Sequence, residues 1–184
     1  MVGAILGDII GSPYEFDQGD KTKEFELFSL WSEFTDDSVM TVAVAEALMK
    51  AGIDADVEEI KEACIDSMKD WGMRYPDSGF GGRFYWWVLS EDREPYGSYG
   101  NGSAMRVSPA GWLYESLERT REVARATAEV THNHPEGIKG AEAEAMYGVP
   151  DELMDECKTR IDEEMWDVVQ EFEEFRNSCN NSVE

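Results

Sequence analysis

Apolar residues recur along this chain mostly at helical spacing, and the stretches between them are rich in turn formers. Residues 2–10, Val-Gly-Ala-Ile-Leu-Gly-Asp-Ile-Ile, are apolar apart from Asp8. Gly3, Gly7 and Gly11 fall four apart, on one face of a helix. A smooth glycine face predicts close packing against another backbone, a use that outweighs the propensity cost of each Gly. Gly11-Ser12-Pro13 ends this helix, and Tyr14-Glu15-Phe16 reads as a turn or loop. Residues 21–33 show no clean period and read as irregular. The run Val39-Met40-Thr41-Val42-Ala43-Val44-Ala45 is almost wholly apolar, which predicts a buried helix reaching about Lys50, with Ala51-Gly52 as its stop. Val57, Ile60, Ala63 or Cys64, Met68 and Trp71 give a 3.6-residue period across 54–71. Further helices are predicted over 107–117, 118–129, 136–147, from Val149-Pro150-Asp151 onward, and over 161–175, with 177–184 fraying. The turn-rich 75–83 precedes an aromatic cluster of Phe84, Tyr85, Trp86 and Trp87. No strand, internal repeat or interdomain linker is evident. The predicted fold class is all-α, with one helical domain over 1–176 and a short tail.

Composition supports a folded protein. At 184 residues the chain is long enough for one sizeable core, and 42% hydrophobic content with 6 Trp, 7 Tyr and 8 Phe argues against disorder. No run approaches the roughly 18–20 apolar residues of a membrane span, and no basic region precedes an apolar one at the N-terminus. A soluble, cytoplasmic protein is expected, without membrane partners. Cys64, Cys157 and Cys179 are odd in number and form no CxxC pair, so they read as reduced thiols. Charge changes the picture more. Asp plus Glu number 40 against 16 Lys plus Arg, a formal net charge of -24. That field excludes nucleic acid as a general partner. An anionic small ligand would need a local cradle of N–H groups, an Arg or a metal ion.

Within this pattern a few residues could carry chemistry. Thr35, Asp36 and Asp37 stand at the mouth of the buried helix. Two readings fit them: capping, with acidic residues in a favourable first turn, and a hard-cation site of one hydroxyl and two carboxylates for Mg²⁺ or Mn²⁺. Taken alone, Glu15 reads as a loop carboxylate. Gly81 and Gly82 beside aromatics could form an anion or adenine pocket. Gly100, Asn101, Gly102, Ser103 and Ala104 lead into Met105-Arg106 and a predicted helix, an arrangement that would point backbone N–H groups at one place. His132 and His134 are the only histidines. They could ligate a transition metal, but without a third soft ligand nearby, hydrogen bonding at a helix N-terminus is the reading preferred.

Taken in order, Gly3-Ala4-Ile5-Leu6-Gly7-Asp8 through Gly11 and Glu15, then Phe34-Thr35-Asp36-Asp37-Ser38, then Gly100-Asn101-Gly102-Ser103-Ala104-Met105-Arg106, then Thr131-His132 with Gly140-Ala141 resemble the ADP-ribosylglycohydrolase family. The resemblance implies an orthogonal helical bundle with a two-metal site, usually magnesium or manganese, that hydrolyses the bond between ADP-ribose and a modified side chain or small-molecule acceptor. It further implies that Thr35, Asp36 and Asp37 are metal ligands and that Ser38 replaces a usual Thr. Glu15 would be the mobile carboxylate beside the metals, with Asp36 and Asp37 sharing the catalytic role. Gly100 to Ala104 would line the ADP-ribose cleft, His132 would contact the ligand, and Gly81 with Gly82 would form the glycine turn near the pyrophosphate.

One departure matters. Family members are longer and carry a second acidic motif, Asp-x-Asp-Thr, that completes the metal pair. No such motif occurs in this sequence. Thr35, Asp36 and Asp37 could still hold one Mg²⁺ or Mn²⁺, since Mg²⁺ keeps several waters and takes only one or two carboxylates. Glu142, Glu144, Asp151 and Asp155 are substitute ligands to consider, although each also suits a solvated face. The expected function is metal-dependent hydrolysis of ADP-ribosyl linkages, and the alternative is an inactive ADP-ribose-binding remnant. Apolar faces left uncovered favour homo-oligomers, which light scattering would read as a mass above that of one chain.

Overall fold

The apolar run that follows Asp37 forms the helix around which the others pack. A computed structural model describes residues 1–15, 24–144 and 154–180. The order is α1 (Val2–Gly11), a 3₁₀ turn (Ser12–Tyr14), α2 (Asp36–Ala51), α3 (Val57–Arg74), α4 (Gly82–Leu89), α5 (Gly102–Met105), α6 (Ser108–Leu113), α7 (Leu117–Glu129), α8 (Pro135–Glu144), α9 (Met154–Arg160) and α10 (Glu163–Asn180). No strand occurs among the described residues, and the protein is all-α as its periodicity predicts.

Helix α2 is apolar all round, which suits only a helix enclosed on every side. Val39, Met40, Val42, Ala43, Val44, Ala45, Ala47 and Leu48 have no exposed surface, and α1, α3, α5, α6 and α10 surround it. Helix α3 is amphipathic and begins with a capping box: Asp56 accepts from the Glu58 and Glu59 N–H groups, while Glu59 accepts from the Asp56 N–H. Helix α8 lies against α5 and α7. That contact brings the glycine-rich loop and the histidine turn together.

Several elements differ from the sequence expectation. The helix predicted over 107–117 is shorter, α6 alone, and the glycine-rich loop before it contains a separate helical turn, α5. Pro109 sits at the start of α6, where its missing N–H costs least. The aromatic cluster is itself helical, with Trp87 and Val88 inward and Trp86 and Leu89 outward. Helix α10 continues through 177–180, part of the stretch expected to fray, and 181–184 lie outside the described residues. The predicted helix start at Val149-Pro150-Asp151 also lies outside them. Among the described residues, a Cβ at Gly7 or Gly11 would have nothing within 4 Å, so at these two positions no described backbone packs closely on the glycine face of α1. This face instead lines an open cavity. Cys64 and Cys157 are buried free thiols and Cys179 is a partly exposed one.

Candidate functional site

The mouth of α2 is built by two helices and a loop. Thr35 is the N-cap, in extended backbone (φ -125°, ψ -163°), and Asp36 and Asp37 occupy the first turn. The Asp36 N–H donates to the Ser78 carbonyl at 2.8 Å, which ties the helix start to the loop before α4. Asp8 reaches across from α1. Its Oδ2 accepts from the Thr35 N–H (2.8 Å), the Ser38 N–H (3.1 Å) and the Ser38 hydroxyl (2.5 Å), and its Oδ1 accepts from the Thr35 hydroxyl (2.6 Å). A single carboxylate from a different helix therefore satisfies four donors at this terminus. The Thr35 hydroxyl adds only a long contact to the Asp37 N–H, at 3.5 Å. Capping at this end is thus carried by Asp8 and Thr35, and the Asp36 and Asp37 carboxylates are left for other use. Asp8 was not singled out from sequence, although it is the only charged residue within an otherwise apolar helix.

Electrostatically this corner is strained by like charge. Burial first, then the charges of Asp8 and Glu15, push Asp36 up from 3.8 to about 6. Burial, then Asp8, Asp36 and Glu15, push Asp37 up to about 7. A helix N-terminus favours negative charge by only about 0.3–1 kcal/mol, and here desolvation and repulsion outweigh it. Among the described residues, the charges that act most on these two carboxylates are all negative.

Three cavities flank the turn: one of about 580 Å³ runs past Thr35 and Asp36 to Arg74 and Tyr75, and the other two hold the residues predicted from sequence. The larger of these two, of about 880 Å³, runs along the small-residue face of α1, past Gly3, Ala4, Gly7 and Gly11, to Asp8, Glu15, Thr35 and Asp37. Asn101, Ala104 and Glu144 close its other side. The smaller, of about 330 Å³, has Asp36 on one wall and Gly81, Gly82, Gly100, Asn101, Gly102 and His132 on the others. Asn101 and Met105 belong to both. Every sequence-predicted site residue except Ser103 lines one of the two. Ser103 is fully buried and its hydroxyl donates to the Gly137 carbonyl at 2.7 Å, which fastens α5 to α8. Of the substitute carboxylates, Glu144 lines the larger cavity, whereas Glu142 pairs with Arg125 at 3.0 Å. Asp151 and the Asp155 side chain lie outside the described residues.

The smaller cavity is fixed by close approaches. A Cβ at Gly102 would lie 3.1 Å from His132 Cε1 and 3.2 Å from Nε2, close enough that the ring would have to shift by a few tenths of an ångström to admit it. His132 is 3% exposed. Burial, then the charge of Arg106, holds its imidazole down at about 3, so it is neutral near pH 7. Arg83 donates to the Tyr96 carbonyl and its guanidinium lies 4.9 Å from the Tyr96 ring, joining the start of α4 to the loop that carries the cradle. Tyr99, 71% exposed, meets the His134 ring at 5.3 Å outside the cavity. His134 Nδ1 accepts from the Glu136 N–H at 3.2 Å, in the first turn of α8, the helix-terminus role expected of a histidine here.

The donor set at the α2 mouth suits a hard cation. The Thr35 hydroxyl spends its proton on Asp8 and keeps acceptor capacity on its oxygen, and beside it stand two half-buried carboxylates crowded by like charge. Among the described residues no group of three or more His, Cys, Asp or Glu side chains is disposed to hold a metal ion. Two carboxylates, a hydroxyl and water are compatible with one Mg²⁺, not with a closed protein cage.

Comparison with known proteins places these features in a family. The family model described as ADP-ribosylglycohydrolase matches residues 1–181. The chain is 28% identical to ADP-ribosylhydrolase ARH3 of Xenopus tropicalis over 213 aligned positions, which take in 100% of this chain and 58% of that relative. It is 29% identical to ADP-ribosylhydrolase ARH3 of Homo sapiens over 175 positions, covering 79% of this chain and 47% of the relative. With ADP-ribosylhydrolase ARH3 of Mus musculus the figures are 27% over 180 positions, 79% and 46%. The chain spans about half the length of the curated relatives it matches.

Proposed function

The chain belongs to the ADP-ribosylglycohydrolase family, and from that premise we propose that it hydrolyses ADP-ribosyl linkages, releasing ADP-ribose from a modified side chain or small molecule. The observation that carries the proposal is the pair of uncapped carboxylates, Asp36 and Asp37, set between two cavities. One of these cavities is walled by a glycine-rich loop and a neutral histidine. Departure of the acceptor from the ribose C1 passes through an oxocarbenium-like state, which needs a water delivered to one face, a proton acceptor for it and negative charge nearby. Thr35, Asp36 and Asp37 would hold one Mg²⁺ or Mn²⁺, which when bound would balance their charge and orient water. Glu15, exposed at the rim of the larger cavity, is the carboxylate free to accept a proton from that water. Gly81, Gly82 and the backbone from Gly100 to Ala104 would receive the ADP-ribose moiety. The side chain of Ser103 takes no part, and His132 contributes a hydrogen bond.

A second function, binding of ADP-ribose without turnover, is favoured by one observation: no third carboxylate, histidine or cysteine among the described residues joins Asp36 and Asp37 as a ligand. Incubation with a panel of mono-ADP-ribosylated peptides, with calorimetry of free ADP-ribose in parallel, separates the two. Hydrolysis predicts release of ADP-ribose from at least one acceptor type. Binding with no release from any acceptor would favour the second function and contradict the first.

A further inference from the structure

A chain of hydrogen bonds runs from Arg106, in the wall of the smaller cavity, through Thr131 to Nδ1 of His132. Arg106, the residue that ends α5, is 1% exposed. Its Nη2 donates to the Thr127 carbonyl at 3.0 Å and to Thr131 Oγ1 at 2.8 Å. A guanidinium has no acceptor, so at this contact Thr131 must accept. The single hydroxyl proton of Thr131 then has one polar neighbour to go to, His132 Nδ1 at 2.8 Å. Were Nδ1 itself protonated and donating, the fully buried Thr131 hydroxyl would keep a proton with no acceptor among the described residues. The consistent arrangement runs Arg106 to Thr131 to Nδ1, with the imidazole proton on Nε2.

Nε2 stands beside Gly102, with no Cβ between them, and no group among the described residues accepts from it. It is an unused donor at the wall of the 330 Å³ cavity. We infer that Arg106 and Thr131 are positioning residues that hold His132 as a neutral, fixed Nε2–H donor for an oxygen acceptor of the ligand, a ribose hydroxyl or a phosphate oxygen. The direction of the hydrogen bonds belongs to the free protein; only the identity of the ligand rests on the proposed function. Thr131 lines neither of the two cavities, so its effect passes through the imidazole; Arg106 anchors the chain and also forms part of the lining of the smaller cavity.

Histidine-selective ¹⁵N labelling tests this directly, because the chain has 2 His and His134→Gln assigns the pair. Wild-type His132 is expected as the Nε2–H tautomer. Thr131→Val, close in shape but without the hydroxyl, should mix in the Nδ1–H tautomer and weaken ADP-ribose binding roughly tenfold, the scale of one lost hydrogen bond. Thr131→Ser should restore both, which a purely packing role for the threonine would not predict. His132 found as Nδ1–H in the wild type would overturn the inference even if Thr131→Val failed to fold, as would a Thr131→Val spectrum identical to wild type. A wild-type chain that shows the Nε2–H tautomer but binds no ADP-ribose would uphold the hydrogen-bond chain and overturn the proposed ligand.

Discussion

Asp37 shows how burial and like charge move a helix-start carboxylate far from its ordinary titration. In an exposed first turn it would be stabilised by the dipole and remain ionised. Here burial and the charges of Asp8, Asp36 and Glu15 raise it from 3.8 to about 7. The sign of the consequence follows from linkage. Between those two values the folded chain binds a proton that the unfolded chain has released, so Asp37 makes stability fall as pH rises from about 4 to about 7. Asp37→Asn should therefore be more stable than wild type at pH 8 without metal, by about 1 kcal/mol once solvent screening is allowed for. At pH 5, nearer the lower of the two values, the gap read from urea unfolding should be less than half as large, and it should vanish toward pH 4. Equal stability at pH 8 would show that the carboxylate is not under repulsion. That Thr35, Asp36 and Asp37 stand at the mouth of a buried helix was legible in sequence, because they precede an apolar run. That Asp8 does most of the capping was not legible, since the contact spans 27 to 30 residues and depends on how α1 crosses the start of α2.

Helices are where local and long-range information part company. Helix α2 was predictable to within a residue or two because it is apolar on all sides and ends at Gly52. The extent of α3 followed from its period, its stop less well. Pro109 signals a helix start near 108, but that the glycine-rich loop before it forms a helical turn of its own, α5, was hidden, because Gly100 and Gly102 read as loop. The glycine face of α1 was recognised but its neighbour was not: spacing establishes that a face is smooth, not whether a backbone or a cavity meets it. The junction of α1 and α2 is instead secured by Asp8. Replacing it with Ala leaves the N–H and hydroxyl donors of Thr35 and Ser38 without an acceptor, which should cost about 2–4 kcal/mol at pH 5. At pH 8 the loss should be smaller, since removing one negative charge also relieves Asp36 and Asp37. Chemical denaturation at the two pH values checks both statements, and an unchanged midpoint at pH 5 would mean the four hydrogen bonds contribute nothing net.

For the molecule as a whole, a net charge of -24 and a site that gathers four carboxylates make the same demand, a cation wherever an anionic ligand is to approach. The buried α2, the cradle from Gly100 to Ala104 and the histidine turn form one framework, and the two cavities meet along Asn101 and Met105. No helix among the described residues is long and apolar enough to cross a membrane. The all-α class and the family were both legible in sequence, since four short motifs in order are more specific than any single residue in them. The pairing of cavities around the α2 mouth was not, because it depends on α8 bringing residues 132–144 back beside α5. The central claim is that this mouth, charged with a divalent cation, cleaves ADP-ribosyl bonds, and release of free ADP-ribose from mono-ADP-ribosylated peptides tests it most directly. Release is expected with Mg²⁺ or Mn²⁺, absent with EDTA, and lowered at least about a hundredfold by Asp36→Asn. Release that persists in EDTA and in Asp36→Asn, or no release from any acceptor with the chain folded, would contradict it.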